Sequence, residues 1–423
     1  MSFFHPSLES SHHENSHPSA TPAEAGVHGS STSLSEAFLD SSVSRVRDSV
    51  PEQYRQDFDE LRQNILDFCK IFSIPPDLLN NLDAFQAHIS SRNPPLSFPD
   101  LQRFFHFLQR FEYLVSHKDE LTEVERLYHL KEQYTSQVAL LEQTGVLKDG
   151  SVMGIDGQRY PIPTLEQITQ RLYEQRETLA IKQSQGFTKL LLVPFGMSLD
   201  EMMQRCGEFL RTYKSNHADF SFDEKSSLMV WDGYGLSGDE EDSTLVYFPQ
   251  SLDGQNHHGK TKREILREQD QKNVTQGWRV LLLQPSRPMD AASKGFALIP
   301  RDRKGGRQGQ DELHKRSDLE ANRMPLHYFQ ELQEESSPYY GESGMTPEDW
   351  FFAFMTHLQE TGEPLDNYQN EEASSCYLLG AFFPDIPAVS RANWAANGPH
   401  INLWRGTTTL FVGWIGIRTA VVV

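Results

Sequence analysis

The sequence predicts an α+β protein in which an N-terminal helical domain precedes a domain of short strands and long loops. Three observations predict it. Residues 51–185 carry apolar stripes at helical spacing. From residue 186 the texture changes to brief apolar runs separated by polar stretches. The segment from Ala373 to Val423 contains no Lys, Glu, Gln or Met, although these residues recur throughout the chain before it. At 423 residues the chain is long enough for two or three domains.

Residues 1–50 are rich in Ser, His, Pro and Gly. Such a composition cannot bury enough apolar surface to offset chain entropy, so a disordered tail is expected. His12, His13 and His17 read as part of that polar tail rather than as metal ligands. Tyr54, Phe58, Leu61, Ile65, Phe68 and Phe72 then step by three or four, which is one stripe on a helix that Pro75–Pro76 ends. Phe104, Phe107, Leu108, Phe111, Leu114 and Val115 make a second helix, entered near Pro99. Thr122 with Glu125 reads as a capping box for a third, whose seam is Val124, Leu127, Tyr134, Val138 and Leu141. Two Asp-Gly pairs, at 149–150 and 156–157, predict a hairpin over 146–162. Thr164 with Gln167 caps a helix running to about Gln185.

Beyond residue 186, LLLVPF (190–195) reads as a buried strand. Ser198 and Glu201 cap a helix that carries Leu199, Met202, Cys206, Phe209, Leu210 and Tyr213. Strands are expected at 228–231, 244–249, 277–285 and 295–300, separated by polar loops. Thr346, Pro347 and Asp349 mark a helix start with a cap, a first-turn proline and a first-turn acid. IGIRTAVVV reads as a terminal strand.

Charge and motifs narrow the function. A formal net charge of −20 disfavours nucleic acid, because an acidic surface repels phosphate. The basic stretches at 259–268 and 301–307 lack interleaved aromatics and read as solvated loops. Cys69, Cys206 and Cys376 are far apart and lack metal-ligand spacing, so buried thiols are expected rather than a disulfide framework. The acidic run at 238–243 lacks the alternating carboxylates of a calcium loop, and His257–His258 lack a spaced acidic partner. No nucleophile elbow, HExxH, Walker loop or CxxC pair occurs. No enzyme, metal or cofactor is therefore argued from motifs. No secretory signal and no run near the roughly 20 apolar residues of a membrane span is visible, so a cytoplasmic location is the default, with delivery to the cell surface left open.

What the C-terminal block offers is a binding face. Apart from Trp, each of its residues has a codon ending in a pyrimidine, the set obtained when the adenines of AAC or AAT codons are randomised. A buried β-rich segment explains Phe411–Val423 equally well but not Ser390–Thr409, which is rich in Gly, Asn, Thr, Pro and Arg. Trp394, Trp404 and Trp414 recur at a ten-residue interval and cannot arise from such codons, so they are expected to be constant or to come from other template codons. The candidate ligand-binding residues are Ser390, Arg391, Asn393, Trp394, Ala395, Ala396, Asn397, Gly398, His400, Asn402, Trp404, Arg405, Thr407, Thr408, Phe411 and Trp414, on a loop held by the terminal strand. Trp394, Trp404 and Arg405 are the expected anchors; Gly416 and Arg418 are expected to serve stability instead.

This block resembles the variable region of diversity-generating retroelement target proteins. The likeness rests on GWIGIRTAVVV with Gly416 and Arg418, on ASSCYLLGAFFP followed by IPAV and Trp394, and on GMTPEDWFFAFMTHLQETGEPLDNY before them. QGFTKLLLVPFGMSLDEMM and the WDGY…LVYFP…HHGKTK stretch are similar to the upstream part of such proteins. The resemblance covers about 186–423 and implies a C-type lectin fold of the formylglycine-generating-enzyme type, with a tolerant ligand-binding face and no catalysis. It leaves 51–185 unexplained. The expected organisation is a tail at 1–50, a separable helical domain at 51–185 suited to homo-oligomerisation, and a C-type lectin-like variable domain at 186–423. The expected function is binding of an unknown protein or surface ligand through about 390–414. The alternatives are a formylglycine-generating-type enzyme, which needs active-site cysteines, and an assembly protein working through its helices.

Overall fold

In the computed structural model the described residues are 37–38, 42–80, 82–92, 95–231, 234, 244–272, 275–299, 321–367, 375–395, 398–409 and 412–423. The chain is α+β. Helices dominate up to residue 184: α1 (Val43–Ser49), α2 (Arg55–Ile71), α3 (Leu82–Ser90), α4 (Phe98–Ser116), α5 (Lys118–Tyr128), α6 (Leu130–Gln143), α7 (Leu165–Glu174) and α8 (Arg176–Ser184), with the hairpin β1 (Ser151–Met153) and β2 (Arg159–Pro161) between α6 and α7. The expected stripe on α2 is its buried face, with Tyr54 just before it. Phe58 and Phe68 meet Phe111 and Phe104 of α4 at centroid distances of 5.0 and 4.3 Å. Ser97 caps α4 and the Thr164–Gln167 capping box opens α7.

Four expectations in this half need correction. Part of the expected tail is ordered: α1 packs on α2, and Ala37, Phe38 and Val46 are buried. The rest of 1–50, including His12, His13 and His17, lies outside the described residues. Thr122 is not a cap. It sits inside α5, where its hydroxyl bonds back to the Lys118 carbonyl at 2.7 Å. The expected seam is split because His129 adopts a left-handed conformation (φ 51) that ends α5 and starts α6 on a new axis, leaving Leu127 exposed. Likewise Gln175 leaves helical geometry and divides α7 from α8.

The second half contains β3 (Lys189–Val193), α9 (Leu199–Asn216), β4 (Leu228–Val230), β5 (Val246–Tyr247), α10 (Lys262–Lys272), β6 (Arg279–Leu283), α11 (Pro325–Gln333), β7 (Ser343–Gly344), α12 (Pro347–Thr361), β8 (Ser375–Phe383), β9 (Ala388–Trp394), β10 (Ile401–Thr407), β11 (Ile415–Ile417) and β12 (Thr419–Val422). One sheet has the order β3-β6-β12-β7. The other runs β11-β8-β9-β10-β4, with β5 also on β8. Phe296 makes only a single bridge, to Pro285, so the strand expected at 295–300 is absent among the described residues there. The expected terminal strand divides at Arg418: β11 pairs with β8 in one sheet and β12 with β6 and β7 in the other.

The free edge of β3 is covered by α6. Gln133 accepts from the Leu190 amide at 2.7 Å and donates to the Thr188 carbonyl at 3.3 Å. Gln137 does the same to the Leu192 amide and the Leu190 carbonyl, at 2.8 and 2.6 Å. Two amide side chains thus satisfy edge groups that another strand would otherwise pair. A single hydrophobic cluster runs from Phe58 of α2 through Leu192 of β3 to Val421 of β12. No described helix is long and apolar enough to cross a membrane.

Candidate functional site

Within 391–394 and 401–403 polar residues alternate with small or apolar ones, which is the period of a half-buried strand. The expected exposed loop is instead the strand pair β9–β10, joined by a turn closed by the Ala395 amide on the His400 carbonyl at 2.8 Å. Its register is antiparallel, with Asn402 opposite Asn393 and Trp404 opposite Arg391. These four residues share one face. On the next strand Met229 is the parallel partner of Asn402, so it joins them. Trp404 is 36% exposed and Met229 42%. His400 places a ring nitrogen 2.9 Å from Asn402 Oδ1, and Asn393 Nδ2 donates to the Trp394 carbonyl at 2.9 Å. Farther along the same face, α11 covers the sheet, with Tyr328 and Tyr377 centroids 6.5 Å apart. The uncovered area is therefore the β9–β10–β4 end.

The intervening residues point into the core. Ser390, Ala392, Ile401 and Leu403 are fully buried. Trp394, an expected anchor, is 2% exposed and stacks on Phe354 at 5.7 Å with Phe220 at the same distance. It is a core residue because position 394 falls on the inner side of the pleat. Arg405 lies on that inner side too, at its open end, with its guanidinium 4.4 Å from the centroid of Trp231. Trp231 packs edge-on to Phe383 at 5.5 Å. Arg405 and Trp404 therefore do not form one patch.

The remaining expected site residues scatter. Ala395 and His400 are buried under the turn, and Gly398 has φ 108 at its tip. Thr408 is buried, and its carbonyl accepts the Leu326 amide at the start of α11 at 3.2 Å. Thr407 and Trp414 are exposed, Trp414 beyond the end of β10 in the turn before β11. Ala396, Asn397 and Phe411 lie outside the described residues, as do the acidic run 238–243 and the basic stretch 301–307. Met229 was not legible as a neighbour, since parallel pairing joins it to Asn402 across a long sequence separation.

Buried polar groups hold this sheet in place. Asp366, at φ 50, accepts from Arg418 Nη2 at 2.7 Å and from Trp350 Nε1 at 2.8 Å. Its backbone carbonyl also accepts the Trp394 amide at 3.1 Å. Arg418 donates in addition to the Ala297 carbonyl. At the N-terminus of α12, Glu348 meets Lys262 at 3.0 Å and the Tyr247 hydroxyl at 2.7 Å, all buried. Lys262, in the basic stretch expected to be a solvated loop, is thereby withdrawn from the surface onto α10. Asp349 faces Arg279 at 3.1 Å, and burial pushes its carboxyl above the usual range despite that guanidinium.

Cys206 and Cys376 are fully buried, and burial pushes both thiols well above the ordinary range; Cys69 is pushed up to about 11. Among the described residues no group of three or more His, Cys, Asp or Glu side chains is placed to hold a metal ion. No family model, curated protein or solved structure matches this chain.

Proposed function

We propose that this chain is a non-enzymatic binding protein that presents a diversified sheet face to a protein or surface ligand, in the manner of retroelement-diversified proteins with a C-type lectin fold. The observation that carries the reading is the register of β9 and β10. It gathers Arg391, Asn393, Asn402 and Trp404 on one accessible face beside Met229 and buries the residues between them. Such an arrangement lets exposed side chains change while the core stays fixed. Trp and Arg supply rigid anchoring contacts and Asn supplies adaptable hydrogen bonds. Competing catalysis by an activated cysteine is disfavoured by thiols that are buried and held protonated.

Sequencing sibling loci tests it. Substitutions should concentrate at 391, 393 and 402, with adenine-rich codons in a nearby template repeat, and should avoid 392, 394, 401 and 403. Changes spread evenly over both sides of the pleat would end the proposal. Whether the helical half mediates oligomerisation is read by light scattering of the intact chain, with a dimer or larger species expected.

A further inference from the structure

A second site lies where the helical half meets the C-terminal half, and none of its lining residues belongs to the sheet face. A cleft of about 500 Å³ opens between α4, residues 161–164 with α7, and residues 275–276. That volume falls within the roughly 300–1,000 Å³ of small-molecule sites. His106, Arg110, Thr164, Gln170, Arg171 and Thr275 are among its lining residues. They come from three separate stretches of chain, so no single element's surface habit explains the cluster.

Each guanidinium is anchored at one side and open at the other. Arg110 donates Nε and Nη2 to Glu166 Oε2, at 3.1 and 2.5 Å. Glu166 is fully buried and cannot itself reach solvent. Arg110 Nη1 has no hydrogen bond among the described residues. Arg171 donates Nη1 to Thr275 Oγ1 at 2.9 Å and makes no ion pair among the described residues. Burial lowers its pKa, with Glu174 acting in the opposite direction. His106 makes no hydrogen bond among the described residues; burial first, then Arg110 and Arg171, lowers its pKa. Two guanidinium groups and an imidazole thus converge on a cavity in a chain of net charge −20. Arg110 is balanced by Glu166, whereas Arg171 has no carboxylate within ion-pair distance among the described residues, and a half-buried cation of that kind is costly unless something anionic joins it. The one acidic lining residue, Glu174, is exposed at the rim, engaged by Gln170 at 2.9 Å. Its repulsion is therefore screened by solvent.

We infer that this cleft binds a small organic anion, a phosphorylated or carboxylated metabolite, through Arg110 and Arg171. Guanidinium forks suit the paired oxygens of either group. The glutamines and Pro161–Pro163 supply hydrogen bonds and an apolar wall for the rest of the molecule. Walls from both halves of the chain mean that occupancy braces one against the other.

Isothermal titration of the full chain tests the site with inorganic phosphate, citrate and adenosine 5′-monophosphate as probes and adenosine as the uncharged control. At least one anion should bind with 1:1 stoichiometry. Preference for citrate assigns a carboxylate ligand; preference for the phosphates assigns a phosphorylated one. Arg171→Gln should weaken that binding about tenfold or more, the loss of one charge-assisted contact. Gln170→Glu, at a half-buried position on the cleft wall, should weaken it as well by adding a like charge. Trp404→Ala, on a residue that does not line the cleft, should leave it unchanged. The inference is overturned if no anion saturates below about 10 mM, if adenosine binds as well as its monophosphate, or if both cleft variants bind like the parent chain.

Discussion

Asp366→Asn isolates what holds the displayed sheet to its scaffold. Asp366 is the only carboxylate the structure gives Arg418 among the described residues, and both side chains are nearly inaccessible, at 1% and 4%. Asn keeps the size, tolerates the left-handed backbone at φ 50, and still offers one oxygen. That oxygen can serve Arg418 or Trp350 but carries no charge. Removing one member of a buried pair typically costs about 3–5 kcal/mol, because the other charge stays buried and unpaired. The retained hydrogen-bond capacity places the expected loss near the lower end, about 3 kcal/mol. That is a large part of the roughly 5–15 kcal/mol that holds most domains folded. Guanidinium denaturation followed by tryptophan fluorescence reads it, since Trp350 and Trp394 both border Asp366. The midpoint should fall with an unchanged slope. The double variant Asp366→Asn with Arg418→Met should recover part of the loss by removing the stranded charge. A shift of Asp366→Asn within about 0.5 kcal/mol, the range of an ordinary surface change, would refute the assignment of Arg418 to structure.

Other outcomes follow from the same geometry. Trp394→Ala should cost about 3–5 kcal/mol as a core truncation, whereas Trp404→Ala should stay within about 0.5 kcal/mol yet weaken ligand binding; equal losses on thermal denaturation would mean that the two faces are misassigned. Gly416→Val should destabilise by about 1–3 kcal/mol, because even a Cβ there would lie 2.4 Å from Ile299 Cγ2. Asp57 is raised to about 7 by burial first and then by Glu166. Its unfolded value is about 3.9, so its contribution to stability is lost as pH rises from about 4 to 7. Asp57→Asn should accordingly stabilise at pH 8 by on the order of 1–3 kcal/mol and change little at pH 4, which denaturation at the two pH values checks. His357 behaves oppositely: burial, then Arg418 and Lys189, lowers it to about 3, while its ring accepts the Phe296 amide at 2.9 Å. Stability is lost as pH falls from about 6.5 toward 3, and His357→Gln should flatten that loss in acid titrations.

Local order was legible from local residues. The α2 stripe, the caps at Thr164, Ser198 and Thr346, the Asp-Gly hairpin and the strands around 190 and 280 are all written within one or two turns of chain. They rest on side-chain period and short-range hydrogen bonds, which need no partner from elsewhere. The breaks at His129 and Gln175 were not legible, because neither residue carries a steric demand for leaving the helix, as Gly or Pro would. Composition also marked 390–414 as unusual, and the alternation of Arg391, Asn393, Asn402 and Trp404 with small or apolar residues was present in the sequence. It was masked by Gly, Pro and Asn near the turn, which read as loop.

Which side of that alternation faces water was decided only by the tertiary structure. A strand's two faces are equivalent until another layer covers one, and here α12 and the segment after α9 cover the side of Trp394, through Phe354 and Phe220. The same holds for Arg418, whose place at the passage between two sheets depends on Asp366 and Ala297, and for the cleft that brings Arg110, Arg171 and Thr275 together. The sequence alone set the periods, the caps and the residue types available for binding. Long-range packing chose which of those residues meet, because a contact between distant parts of the chain depends on burial and pairing energies that no local window contains.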